Sequence, residues 1–134
     1  MGASATPRYM IDTSVLIAYE QGRPLAELPE SGTGAISVVT IGELHHGVLR
    51  ARSMDGRARR LATYRRAVEM FDAVPIDETV AITWAEYEAL LDAESRATDL
   101  ADTWIAATAA THGMTVITQD RGFEWFPDLD VLIV

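Results

Sequence analysis

The stretch from Leu100 to Thr118, LADTWIAATAATHGMTVIT, decides the fold. A helix is predicted over Leu100 to His112, because Gly113 is the residue best suited to the left-handed turn that closes a helix. Met114 to Thr118 is short, apolar and β-branched, the pattern of a strand buried on both faces in a parallel sheet. The helix passes almost at once into the strand, so its C-terminus lies at the strand's amino end. Its start, carrying Asp99 and Asp102, is therefore returned to the carboxyl edge of the sheet.

Working outward, Arg8 to Ile11 reads as a first strand ending at Asp12, and Val15, Leu16 and Tyr19 as the helix after it. Pro24, Pro29, Gly32 and Gly34 mark a loop with room for one short helix. A strand follows at Ala35 to Val39, then a helix from about Thr40 to Arg52 with Ile41, Leu44, Val48 and Leu49 inward and Thr40 to Glu43 as its capping box. The next helix carries Leu61, Tyr64, Val68 and Phe71 inward, and Ala73 to Ile76 is extended. Val80, Trp84, Tyr87 and Leu91 stripe another helix, and Val131 to Val134 supplies an edge strand. This alternation predicts a single α/β domain, an α/β/α sandwich with a mostly parallel central sheet, over residues 8–134, behind a loose tail at 1–7. Met10 offers an alternative start.

The 134 residues suffice for one core. No apolar run reaches the roughly 20 residues that cross a bilayer, and the N-terminus has no signal-peptide pattern. There is no cysteine, which removes disulfides and thiolate chemistry and suits a cytoplasmic setting. All eleven basic residues are Arg, and the absent lysine sets aside P-loop, Schiff-base and receiver-type chemistry. The formal net charge is -9, yet seven arginines fall between Arg50 and Arg66 with only Asp55 opposing them.

Asp12 and Asp120 follow strands, Glu43 opens a helix that follows a strand, and Asp102 is returned to the same edge, so four acids converge on one rim. Each is also a plausible cap or turn former. A cap contributes about 1 kcal/mol, whereas two carboxylates about 5 Å apart repel by roughly 3 kcal/mol at an effective dielectric near 20. A dication reverses that sign, and hard oxygen donors without cysteine or spaced histidines favour Mg2+ or Mn2+ over Zn2+. His45 and His46 make no spaced zinc pair; one is expected in the core and one outside.

Four motifs resemble the PIN-domain ribonucleases, and among them the VapC-type toxins of type II toxin-antitoxin systems. Tyr9 to Ile17 is similar to the family's opening strand and first acid; Val39 to Leu44 with Gly47 to its second motif; Asp102 to Ala109 with His112-Gly113 to its third; Val116 to Phe123 to its fourth. The acids are separated by 31, 59 and 18 residues, and the match runs over almost the whole chain from Tyr9. Gln119 stands where the family often has Arg, and the segment before the first strand is an extension.

The resemblance implies that Asp12, Glu43, Asp102 and Asp120 hold one or two Mg2+ or Mn2+ ions that support RNA hydrolysis to a 5'-phosphate and a 3'-hydroxyl. Asp99 is a fifth acid, read first as a cap, and Thr13, Ser14 and Thr118 are candidates to hydrogen-bond the acids. The resemblance also implies a homodimer and a cognate VapB-type antitoxin. The Arg50 to Arg66 segment is a candidate to track the RNA backbone, a solvated helix face being the alternative. Two rival readings are a metal-dependent phosphatase, disfavoured because Asp12-Thr13-Ser14 lacks a second Asp, and a non-cleaving PIN-like module that binds RNA or a partner.

Overall fold

The computed structural model describes residues 6–134; the first five residues of the expected tail lie outside the described residues. Five parallel strands form one sheet: β1 (Arg8–Ile11), β2 (Thr33–Ser37), β3 (Asp72–Val74), β4 (Thr115–Thr118) and β5 (Val131–Ile133). Their spatial order is β3-β2-β1-β4-β5. The chain fills one side of β1 first and then crosses to the other, so the strand order reverses between β1 and β4. Open α/β sheets bind ligands just beyond the carboxyl ends at such a reversal.

Period-two alternation in the central strands builds the two cores. Met10, Ala35 and Val116 face one side and pack with Val80, Tyr87, Ile105, Phe123 and Phe126. Ile11, Ile36 and Ile117 face the other and pack with Val15, Leu44 and Ala67. The first layer is made by α4 (Glu78–Ala93) and α5 (Leu100–Thr111), the second by α1 (Thr13–Glu20), α2 (Val38–Arg50) and α3 (Met54–Met70). α5 closes at Gly113, whose φ of +64° requires the freedom glycine has.

Several local expectations are corrected. α2 begins at Val38, not Thr40, because Ser37 caps it by accepting from the Val39 N–H at 3.0 Å. The β-branched Val38 and Val39 read as strand, but the cap and the fully buried Thr40 draw them into the helix. The Thr40 to Glu43 capping box does not form, and Glu43 lies in the second turn. The segment between α1 and β2 holds no helix. Leu49 and Val68 are exposed; Thr40, Leu44 and Val48 make the buried line of α2, and Thr63 and Ala67 that of α3. His45 and His46 lie off the line in α2, and both are exposed, His45 with its ring edge-on to Tyr64.

At the other end of β1, the Thr33 N–H donates to the Pro7 carbonyl at 2.9 Å, and Arg8 and Tyr9 pair with Thr33 and Gly34. A chain begun at Met10 would lack half of its central strand.

Candidate active site at the carboxyl edge

Asp12 stands at the end of β1, with its N–H donating to the Ile117 carbonyl on β4 at 2.9 Å. Although it occupies the N-cap position of α1, its side chain caps nothing. Its Oδ2 instead accepts from Ser14 Oγ at 2.6 Å and Thr118 Oγ1 at 2.7 Å. The carboxyl is 4% exposed. Burial raises its pKa, and the Ser14 and Thr118 hydroxyls partly oppose the rise. The Asp120 N–H donates to Thr118 Oγ1 and the Gln119 N–H to Ser14 Oγ, which fixes both hydroxyls.

Glu43 reaches the same edge from α2. Its Oε1 accepts from Thr13 Oγ1 at 2.7 Å, and Thr13 lies 2.9 Å from Thr40 Oγ1. Desolvation raises this carboxyl too, Thr13 lowers it, and Asp12 and Asp99 push it up further. Asp120 accepts from the Gly122 N–H at 2.8 Å through Oδ1 and opens the 3-10 turn Arg121–Trp125. Asp99 is the N-cap of α5, accepting from the Ala101 N–H at 2.8 Å, in line with the reading of it as a cap.

Asp102, half-buried in the first turn of α5, makes no side-chain hydrogen bond among the described residues. Its carboxyl is pushed up to about 7, first by desolvation and then by the charges of Asp12, Asp99, Asp120 and Glu43. The charges of the other three acids singled out in the sequence, and of Asp99, therefore all reach Asp102 at this edge, and those of Asp12 and Asp99 reach Glu43. No basic side chain relieves them: among the described residues the ion pairs are Arg60 with Glu20 and Arg121 with Glu124.

The donors are hard oxygens, the set that suits a small divalent cation. Among the described residues no group of three or more His, Asp or Glu side chains stands close enough together to hold a metal ion.

Sequence reasoning named Thr40 and Gln119 but missed the contacts they make. Thr40 sits one helical turn before Glu43 and touches Thr13, a relation visible only once the start of α2 is placed at Ser37. Gln119 Nε2 donates to the carbonyls of Pro24, at 3.2 Å, and Val134, tying the loop after α1 to the chain's last residue. Trp84 and Trp104 stack on each other with centroids 4.6 Å apart and lie against the core.

A family model described as the PIN domain matches residues 9–129. Ribonuclease VapC4 of Mycobacterium tuberculosis is 39% identical over 127 residues, covering 95% of this chain and 97% of that protein. Ribonuclease VapC5 of the same organism is 43% identical over 121 residues, covering 90% and 89%. The crystal structure of VapBC-5 from Mycobacterium tuberculosis, a member of the VapBC family of toxin-antitoxin systems, superposes with a TM-score of 0.83 at 36% identity, covering 95% of this chain and 98% of that one. The chain belongs to the PIN-domain family, in the branch of the VapC ribonucleases.

Proposed function

We propose that this chain is a divalent-metal-dependent endoribonuclease and the toxin of a type II toxin-antitoxin pair. The observation that carries the reading is the carboxyl edge itself, where Asp12 and Glu43 are held by the hydroxyls of Ser14, Thr118 and Thr13 and Asp102 stands with no arginine paired to it among the described residues. Such an arrangement opposes folding unless a cation joins it, and function is the simplest reason to retain it.

Asp12, Glu43, Asp102 and Asp120 would hold Mg2+ or Mn2+. Glu43 and Asp120 each have one oxygen committed to a hydroxyl or backbone N–H, Asp12 Oδ2 takes two hydroxyls, and Asp102 has no side-chain hydrogen bond among the described residues. Thr13, Ser14 and Thr118 fix the orientation of Glu43 and Asp12 before any ligand arrives. A dication at such a site supplies an activated water and charge stabilisation at the scissile phosphate, leaving a 5'-phosphate and a 3'-hydroxyl.

The similar VapBC-5 structure is of a member of the VapBC family of toxin-antitoxin systems, which supports a VapB-type antitoxin as the partner of this chain; a homodimer as its working form follows from the family resemblance. An acidic rim suits an inhibitor that inserts an Arg or Lys side chain. The test is cleavage of total cellular RNA by purified protein with Mn2+ and without antitoxin, with ends mapped against Asp12→Ala. New 5'-phosphate ends absent from the variant are expected; RNA left intact by the native protein would contradict the proposal.

A further inference from the structure

The arginines of the Arg50 to Arg66 segment do not form one uniform face. Arg66 lies over the Tyr19 ring, 5.8 Å from its centroid, and borders an apolar cavity. Arg57 and Arg65 are exposed on the outside of α3. Arg52, Arg59 and Arg60 alone line a recess of about 240 Å³ where the ends of α1 and α2 meet the start of α3.

That recess is prepared. Arg60 Nε stands 3.9 Å from Glu20 Oε2, and Glu20 Oε1 accepts from the buried Thr63 hydroxyl at 2.8 Å. The Arg60 guanidinium passes over Gly47, where a Cβ would come within 3.0 Å of Nη1 and 3.4 Å of Cδ. The Gly47 of the second motif thus has a physical role in this chain, since its bare backbone admits an arginine already held from below. Arg52 and Arg59 are exposed and without an acidic partner among the described residues, so two of the three charges are unspent.

α1 joins the recess to the rim. Asp12 precedes its first turn and Glu20 ends it, eight residues on, which is about 12 Å along the axis. Gly47 lies one turn of α2 beyond Glu43, about 6 Å. We infer that Arg52, Arg59 and Arg60 form a phosphate-binding subsite for the RNA strand whose scissile linkage lies at the acidic rim. Forked guanidinium groups match phosphate oxygens, and a chain of net charge -9 needs a local cationic site of this kind to hold a polyanion. The inference rests on the ribonuclease reading. A repeating backbone meets both stations at once, which favours RNA over an acidic protein segment.

The test is fluorescence-polarisation binding of a labelled polyuridine strand to the full chain in chelator, across a salt series. For single strands the slope of log affinity against log salt is about -0.7 per phosphate contact. The triple variant Arg52→Gln/Arg59→Gln/Arg60→Gln is expected to flatten the slope by about 2 and to weaken binding at low salt about tenfold or more. Arg52→Gln/Arg59→Gln, which keeps the Glu20 contact and alters only exposed positions, is expected to flatten it by about 1. An unchanged slope in both variants would overturn the subsite, including the case in which they lose affinity for the antitoxin instead. No binding of RNA by the native protein at any salt would count against the ribonuclease reading itself.

Discussion

Two carboxylates at opposite ends of α1 have been given the same kind of support and opposite surroundings. Glu20 is nearly buried, accepts a threonine hydroxyl from Thr63 and lies beside Arg60. Asp12 is buried, accepts hydroxyls from Ser14 and Thr118, and has around it Glu43, Asp99, Asp102 and Asp120. A hydroxyl fixes where an acid points, whereas the neighbouring charge decides what the acid is for. With an arginine beside it Glu20 helps hold the fold; without one, Glu43 and Asp102 are pushed up by the acids around them.

The comparison is broken most severely at the rim. Asp12→Ala or Asp102→Ala is expected to lower RNA cleavage by about a thousandfold or more, since several kcal/mol of charge stabilisation is lost at about 1.4 kcal/mol per decade. Circular dichroism should show the fold retained, and growth arrest on expression should vanish with the cleavage.

The next effect is on stability against pH. The Asp102 carboxyl is raised from its ordinary value of 3.8 to about 7, so the folded chain binds its proton more tightly than the unfolded chain does. That contribution to stability is present in full below about pH 4 and is lost as pH rises through about 7; the raised Asp12 and Glu43 act in the same direction. In metal-free protein, thermal melts are expected to show Tm falling between pH 5 and pH 8. Mn2+ should restore Tm at the upper end, and Asp102→Asn should flatten the metal-free profile. A Tm that climbs steadily over this range in chelator would refute the charge argument.

At the paired end of α1 the effects are smaller. Glu20→Gln keeps the acceptor for Thr63 but removes the charge beside Arg60, and is expected to cost about 1 kcal/mol in denaturant melts. Ser37→Ala removes the α2 cap and should also cost about 1 kcal/mol, with a smaller loss of activity because Glu43 rides on that helix.

Much of this was legible in the chain. Gly113 closing a helix just ahead of a β-branched run returns Asp102, without coordinates, to the sheet edge that carries Asp12, and the apolar run Met114 to Thr118 forecasts a sheet covered on both faces. The start of α2 was not legible, because Val38 and Val39 carry strand propensity and only the burial of Thr40 and the Ser37 cap override it. Nor was the division of the arginines: Arg60 is told apart from Arg57 by contacts with Glu20 and Gly47, distant in sequence, to which helical periodicity is blind.

Manganese titration calorimetry on the metal-free protein, beside Asp12→Asn/Asp102→Asn and Glu20→Gln, tests most directly whether the unrelieved acids exist to share a cation. The expected result is heat of binding in the native chain and in Glu20→Gln, and none in the double rim variant. Equal heats in all three proteins, or no uptake by the native chain, would contradict it.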